Sequence, residues 1–407
     1  MNILFIHSNY PAQFQHLARS LGSQSQHDVR FLTAREDAHD QPIAGINIET
    51  FKSPAPNESL NGARQVSDHL IQRGFAVQAQ IIELINKGFT PRLIIFHGGN
   101  GLGLLLKTIL PDATLIGYFE WYFSNKCSEV LLGQTSARAL AYTNLRNLVT
   151  NQELVLSDSV IVPTSWQAKQ FPDPFQTKIN IAFDGINRSF FNPGPPEARQ
   201  SSCHLVGEDG EANLNHGQPL LTYATRGMEP LRGFPEFMRS LPHVMQHIPD
   251  AHVIIAGRDR SAYGGISPKH GGSWKKTLLE ELGDFDGLNR IHFLGLMTYA
   301  EYRKLLRRTN LHCYFTRPFV TSWSLFEALA CGSPLLVNHS PAITGLFPSL
   351  QDRAIDLDEE PSTIAETIMT LLKDGGDSIS SLPDKFGVDS CARQWQEIIN
   401  TALAQGY

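Results

Sequence analysis

Two arginines, Arg226 and Arg232, stand six residues apart in "ATRGMEPLRGFPEFM" (224–238). The first ends an apolar run, and the second comes just ahead of Gly233 and a helical pattern. Two guanidinium groups beside a helix N-terminus suit a diphosphate. Their forks bind phosphate oxygens, and the free helix amides add positive potential. A solvated basic turn is the plainer alternative. Further on, "TRPFVTSWSLFEALACGSPLLV" (316–337) sets one carboxylate, Glu327, behind a turn of hydroxyls: Thr321, Ser322 and Ser324. A carboxylate can accept two hydrogen bonds at once from a vicinal diol such as a ribose. The small residues Ala328, Ala330 and Gly332 would let this helix lie close to a sheet. The plainer alternative is a helix acid satisfying local amides.

The N-terminal half offers a second constellation. "TLIGYFEWYF" (114–123) reads as a buried strand with Glu120 just past its carboxyl end, where ligands sit in open α/β sheets. Glu120 is expected to accept from a sugar or acceptor hydroxyl, with His97, ending the preceding strand "RLIIFH", shaping the same pocket. A salt bridge to a nearby cation such as Lys126, or a solvated acid, is the alternative. "GGNGLG" (98–103) is glycine-rich but is not GxGxxG. It reads as a strand-to-helix turn whose amides, Gly99 among them, could touch phosphates. Trp121 and Tyr122 are a stacking platform or core. His243 and His247 lie four apart, but Val244 and Met245 replace the Glu-x of a zinc-protease motif, so a surface pair is expected and no metal ligand is assigned.

The elements that must position these groups alternate. Apolar runs at 2–7, 92–97, 114–119 and 159–164 are each followed by helical or loop segments. After a Pro/Gly/Asn-rich stretch (183–200) and the polar segment 201–218, which contains the loop-like "GEDGEANLNHG", the alternation restarts with "LLTYATRG", "HVIIAG", "RIHFLG", "LHCYFT" and "PLLVN". This predicts α/β architecture: two doubly wound, Rossmann-like domains facing an interdomain cleft. The boundaries expected are 1–192, 193–385 and a C-terminal helix in 386–407 carrying Val388, Cys391, Trp395, Ile398, Ile399 and Ala402 on one face. A chain of 407 residues also suits two domains better than one.

Composition excludes several classes. A net charge of -6 argues against a nucleic-acid binder. No run of 18 apolar residues offers a membrane span, and "MNILFIHSNYP" lacks the basic segment of a signal peptide. The five cysteines (Cys127, Cys203, Cys313, Cys331, Cys391) are scattered, without a CxxC pair, which suggests reduced thiols and a cytoplasmic enzyme.

Together, Arg226, Arg232 and "SLFEALACGSP" resemble the retaining glycosyltransferases of family 4, with the GT-B fold. "EPLRGFPEFM", "GGSWKKTLLEEL" and "RIHFLG", and in the N-terminal half "HSNYPAQFQHLA", "FHGGNG", "IGYFEWYF", "PTSWQAKQFP" and "FDGIN", are similar to one bacterial, nucleotide-sugar-dependent branch. The resemblance implies that Arg226 and Arg232 hold a donor diphosphate and Glu327 the nucleotide ribose. Thr321, Ser322, Ser324, Leu325, Gly257, Leu294 and Gly99 would complete the donor site. It implies a nucleotide diphosphate sugar, such as a UDP-sugar, as co-substrate, a hydroxyl acceptor, and neither cofactor nor metal. It further implies that the C-terminal helix crosses back onto the N-terminal domain. The sequence departs from the family at Phe319, where a sugar-contacting Glu is usual, at Glu120, near the usual place of a His, and in "NHSPAITGLF" (338–347), which lacks the usual acids. A silent GT-B scaffold that binds a nucleotide sugar or partner, and a nucleotide-sugar epimerase, therefore stay open beside the transferase.

Overall fold

The structure is a computed structural model that describes residues 1–124, 136–263, 268, 271–373 and 381–405. Lys126 and Cys127 lie outside these. The described chain divides into two compact α/β units: one takes the chain up to Gly185 together with Asp384 onward, the other Ile186–Pro383.

The first unit is built on seven strands: β1 (Asn2–His7), β2 (Asp28–Thr33), β3 (Ile46–Thr50), β4 (Leu93–His97), β5 (Thr114–Tyr118), β6 (Ser159–Val162) and β7 (Ile179–Ile181). They pair in parallel in the order β3-β2-β1-β4-β5-β6-β7. β4 and β5 are buried at every residue, as expected for strands covered on both faces, and this is why they read as continuous apolar runs. The long helix Gly62–Asn86 covers one face with Leu70, Val77, Ile81 and Leu84 buried at helical spacing. The helix Val388–Gln405 covers the other, burying Cys391, Trp395, Ile399 and Ala402. Trp395 donates from Nε1 to the Phe183 carbonyl at 3.0 Å and packs its ring against Phe14 and Tyr118.

The second unit contains β10 (Leu220–Gly227), β11 (His252–Arg258), β12 (Ile291–Gly295), β13 (Leu311–Tyr314), β14 (Leu335–Asn338) and β15 (Ala354–Ile355), after a hairpin of β8 (Cys203–Gly207) and β9 (Gly210–Leu214). The six-stranded sheet runs β12-β11-β10-β13-β14-β15, all parallel. The helix Phe234–His247 packs on it through Phe234, Phe237, Met238, Leu241, Val244 and Met245.

The division between the two units falls at Gly185–Ile186. The reason is local: Arg303 donates to the Phe190 carbonyl at 3.3 Å and Arg307 to the Asn192 carbonyl at 2.9 Å, tying this stretch to the helix Tyr299–Arg308 of the second unit. The polar segment 207–217 is not a solvent loop throughout, since β8 and β9 pair antiparallel across it. Leu205, Ala212 and Leu214 alternate inward and are buried against Leu220, Ile254 and Leu294. No helix among the described residues is long and apolar enough to cross a membrane.

Candidate active site

In both sheets the strand order reverses once, between β1 and β4 in the first and between β10 and β13 in the second. Connections leave such neighbours in opposite directions and open a crevice at their carboxyl ends. The sequence's chemically equipped residues lie at these two places.

In the second unit, Arg226 is the penultimate residue of β10 and is exposed. A short turn, Pro230–Arg232, then leads through Gly233 into the helix Phe234–His247. Gly233 has φ 64°, and a Cβ there would press on Phe315, so the tight entry into the helix requires glycine. Arg232 is buried. Its Nη1 donates to Thr316 Oγ1 at 2.7 Å and to the Val320 carbonyl at 3.2 Å, both just beyond β13. The ring of Tyr263 joins the two arginines, with its centre 5.9 Å from the Arg226 guanidinium and 5.4 Å from that of Arg232. Phe319 packs edge-on against the same ring at 4.9 Å. Burial works against the charge of Arg232, but Tyr314, Tyr263 and Glu229 outweigh it, and the group stays cationic.

Glu229 carries a role the sequence reading did not assign. It is fully buried, and its Oε2 accepts the amides of Ala262 at 2.9 Å and Tyr263 at 3.2 Å, fixing the segment that carries the ring. Burial raises its pKa and the two amides oppose the rise. The signal available was its place between the two arginines in "RGMEPLR".

Glu327 is buried within the helix Trp323–Ala330. It faces Tyr302 and Tyr299, whose pKa values are raised first by burial and then by its charge. Ser322 caps this helix, its Oγ accepting the Ser324 amide at 3.2 Å while its own amide donates to Tyr314 Oη at 3.0 Å. Thr321 Oγ1 donates to the Ala342 carbonyl at 2.8 Å. The turn of hydroxyls therefore also serves the fold. Gly257, with φ 126°, is the penultimate residue of β11, and a Cβ there would collide with the Thr225 carbonyl. Leu294 and Leu325 are core side chains at 1% and 0% exposure, so any donor contact there is confined to the backbone.

In the first unit, His7 ends β1 and His97 ends β4, with ring centres 4.5 Å apart. Glu120 lies just past β5. Its Oε2 is 3.3 Å from His97 Nε2, and its Oε1 accepts from Gln13 Nε2 at 3.0 Å. The backbone carbonyl of Glu120 accepts from Gln167 Nε2 at 2.7 Å. His7 is held neutral: burial, then His97, lower its pKa well below the ordinary value. Tyr122 stacks at a tilt on Phe171 and donates to Asn151 Oδ1 at 3.0 Å, which is core packing, and Trp121 is buried.

The glycine turn after His97 corrects one expectation. The Gly99 amide does not stand open to a phosphate. It donates to Glu153 Oε2 at 2.6 Å, and the Gly103 amide donates to Glu153 Oε1 at 2.8 Å. Glu153 is fully buried on the helix Leu148–Leu156, and burial pushes its pKa up to about 7 against the pull of these amides. A carboxylate of the protein occupies the anion cradle that the glycines make.

Comparison with known proteins agrees with this architecture. Residues 25–191 match the model of the glycosyl transferase family 4 group, and residues 236–376 match a glycosyl transferase-like model. No curated protein sequence matches the chain. Among solved structures, HepE from Anabaena, in complex with UDP and glucose, is 15% identical with a TM-score of 0.67 over 98% of this chain and 100% of that one. Sucrose-phosphate synthase from Thermosynechococcus elongatus is 16% identical with a TM-score of 0.65 over the whole of both chains. A UDP-N-acetylglucosamine 2-epimerase from Listeria monocytogenes, so described with the word putative in its own name, is 13% identical with a TM-score of 0.59 over 99% and 97%. At such identities the structures speak for the fold, and the two sequence models for the superfamily: the chain is a GT-B-fold member of the glycosyltransferase superfamily.

Proposed function

We propose that the protein moves a sugar from a nucleotide diphosphate sugar to a hydroxyl acceptor, with retention of configuration and without a metal. Arg226 and Arg232 bind the diphosphate, Glu327 binds the ribose, and Glu120 and His97 face the sugar or the acceptor. The observation that carries this reading is the setting of Arg232. A buried guanidinium whose Nη1 is met by two neutral oxygens, Thr316 Oγ1 and the Val320 carbonyl, beside a second, exposed arginine at a sheet's switch point, is a concentration of positive charge suited to an anion. In the reaction the bond from the sugar's anomeric carbon to the phosphate oxygen breaks, and its electron pair stays on the phosphate. The acceptor oxygen bonds to that carbon on the same face, and its proton passes to the departing phosphate. The arginines stabilise the charge growing there.

The test incubates the purified protein with a panel of nucleotide sugars and follows release of nucleoside diphosphate. Release, with a product of unchanged anomeric configuration by NMR, supports the transferase. A new nucleotide sugar without release supports the epimerase reading, and binding without either reaction supports a silent scaffold.

A further inference from the structure

We propose that Asn100 is a positioning residue for this chemistry: its side-chain amide pins His97 in the Nε2–H tautomer, so that His97 donates to Glu120 and keeps Glu120 an oriented acceptor. The inference rests on the role proposed above for Glu120.

Asn100 Nδ2 lies 2.7 Å from His97 Nδ1 and 3.4 Å from the Gly98 carbonyl oxygen. A carbonyl oxygen can only accept, so the nitrogen end of the amide belongs at this place. Nδ2 then donates to Nδ1, which carries the lone pair, and the imidazole proton sits on Nε2. That proton points at Glu120 Oε2, 3.3 Å from Nε2. The second carboxylate oxygen is met by the Gln13 amide at 3.0 Å. From Asn100 through His97 and from Gln13 to Glu120, each of these three donors meets an acceptor. The other tautomer would set an N–H against the Asn100 amide hydrogens and a lone pair against the carboxylate, two repulsive contacts in place of two attractive ones. The second nitrogen of a histidine commonly sets what the first one does.

The position of Asn100 is itself held firmly. It sits in the turn whose flanking amides, at Gly99 and Gly103, both close on buried Glu153. Its neighbour Gly101 has φ 80°, and a Cβ there would collide with the Leu70 carbonyl of the long helix. The turn therefore has one seat, and Asn100 reaches His97 from it.

The experiment uses the full chain labelled with nitrogen-15 in its histidine rings. Long-range proton–nitrogen correlation reports the tautomer, and the His97 signals are identified by their loss in His97→Gln. The wild-type protein is expected to show the Nε2–H form. Asn100→Asp offers Nδ1 an acceptor and is expected to place a proton there as well, giving a doubly protonated ring between two carboxylates, and Asn100→Ala to leave a mixture. With a donor sugar that the protein turns over, Asn100→Asp should lower kcat by about tenfold or more, with KM for the donor within about twofold. An Nδ1–H tautomer in the wild type, or an unchanged one in Asn100→Asp, overturns the proposal whatever the activity. A proton gained at Nδ1 with unchanged kcat also overturns it. Glu120→Gln measured alongside shows whether the role of Glu120 has fallen too.

Discussion

Arg232 Nη1 donates to Thr316 Oγ1 at 2.7 Å, and this bond ties the turn after β10 to the end of β13. The buried arginine thus belongs to the framework of its unit as well as to the candidate anion site. Arg226, being exposed, has the second role without the first. Arg226→Ala and Arg232→Ala should each weaken nucleoside diphosphate binding about tenfold or more while sparing the free nucleoside, since a charged hydrogen bond is worth about 1.5–3 kcal/mol. Only Arg232→Ala should also lower the urea midpoint. Calorimetry and denaturation on the same samples check both halves, and unchanged diphosphate affinity in the two variants would remove the phosphate role.

Glu327→Gln keeps the size of the side chain and weakens acceptance from a diol. Donor affinity should fall while the unfolding curve stays in place. A 2′,3′-dideoxy nucleotide should bind the wild type less well than the parent nucleotide and lose little more in the variant. Additive losses in this double cycle would show that Glu327 does not touch the ribose.

Glu120→Gln should cut turnover strongly. Nucleoside diphosphate affinity should hold, because the arginines assigned to the diphosphate lie in the second unit of the chain and Glu120 in the first. Steady-state kinetics beside calorimetry separates the two quantities, and normal turnover would take Glu120 out of the mechanism.

Glu153→Ala strips the acceptor from the Gly99 and Gly103 amides and opens a hole beneath the glycine turn. Leaving buried donors unsatisfied costs about 1–3 kcal/mol each. Urea unfolding should show a loss of about 3 kcal/mol, and a loss below about 0.5 kcal/mol, typical of a surface change, would mean the turn stands without this carboxylate.

Acid should weaken the second unit through His312. This residue is fully buried in β13 with Nδ1 2.8 Å from Thr222 Oγ1, and burial lowers its pKa from 6.5 to about 4. The unfolded chain takes up the proton near pH 6.5, the folded chain only near pH 4. The contribution is therefore level above pH 6.5 and turns against folding as the pH falls towards 4, by about 3 kcal/mol in all. His312→Leu should flatten the stability profile in this window, and an equally steep profile in the variant would place the acid sensitivity elsewhere.

The sequence made the strands legible because a parallel sheet covered on both faces demands unbroken apolar runs, and "RLIIFH", "TLIGYF" and "HVIIAG" supply them. The hairpin at Cys203–Leu214 escaped because it buries only alternate residues among charges, and its short inward pattern is drowned by Glu208, Asp209 and Glu211. Glu153 escaped for a different reason. In "TNQELVLS" it reads as an ordinary helix acid, and its burial is decided by a glycine turn far away along the chain. The polar core of a site is set by such distant pairings, which local pattern does not encode. His97 and Glu120 could be placed together because one ends β4 and the other lies just past the adjacent β5. Asn100 and Gln13, which complete their contacts, come from loops whose course the pattern left open.

The helix Val388–Gln405 belongs to the first unit although the whole second unit lies between them in the chain. During synthesis, then, the first unit is laid down early and completed late. At roughly 5–20 residues per second, the ribosome spends tens of seconds on the intervening segment. Throughout that time the aromatic face of Phe14 and Tyr118 awaits Trp395. Until that helix emerges, the newborn first unit carries an uncovered greasy surface of the kind that chaperones bind.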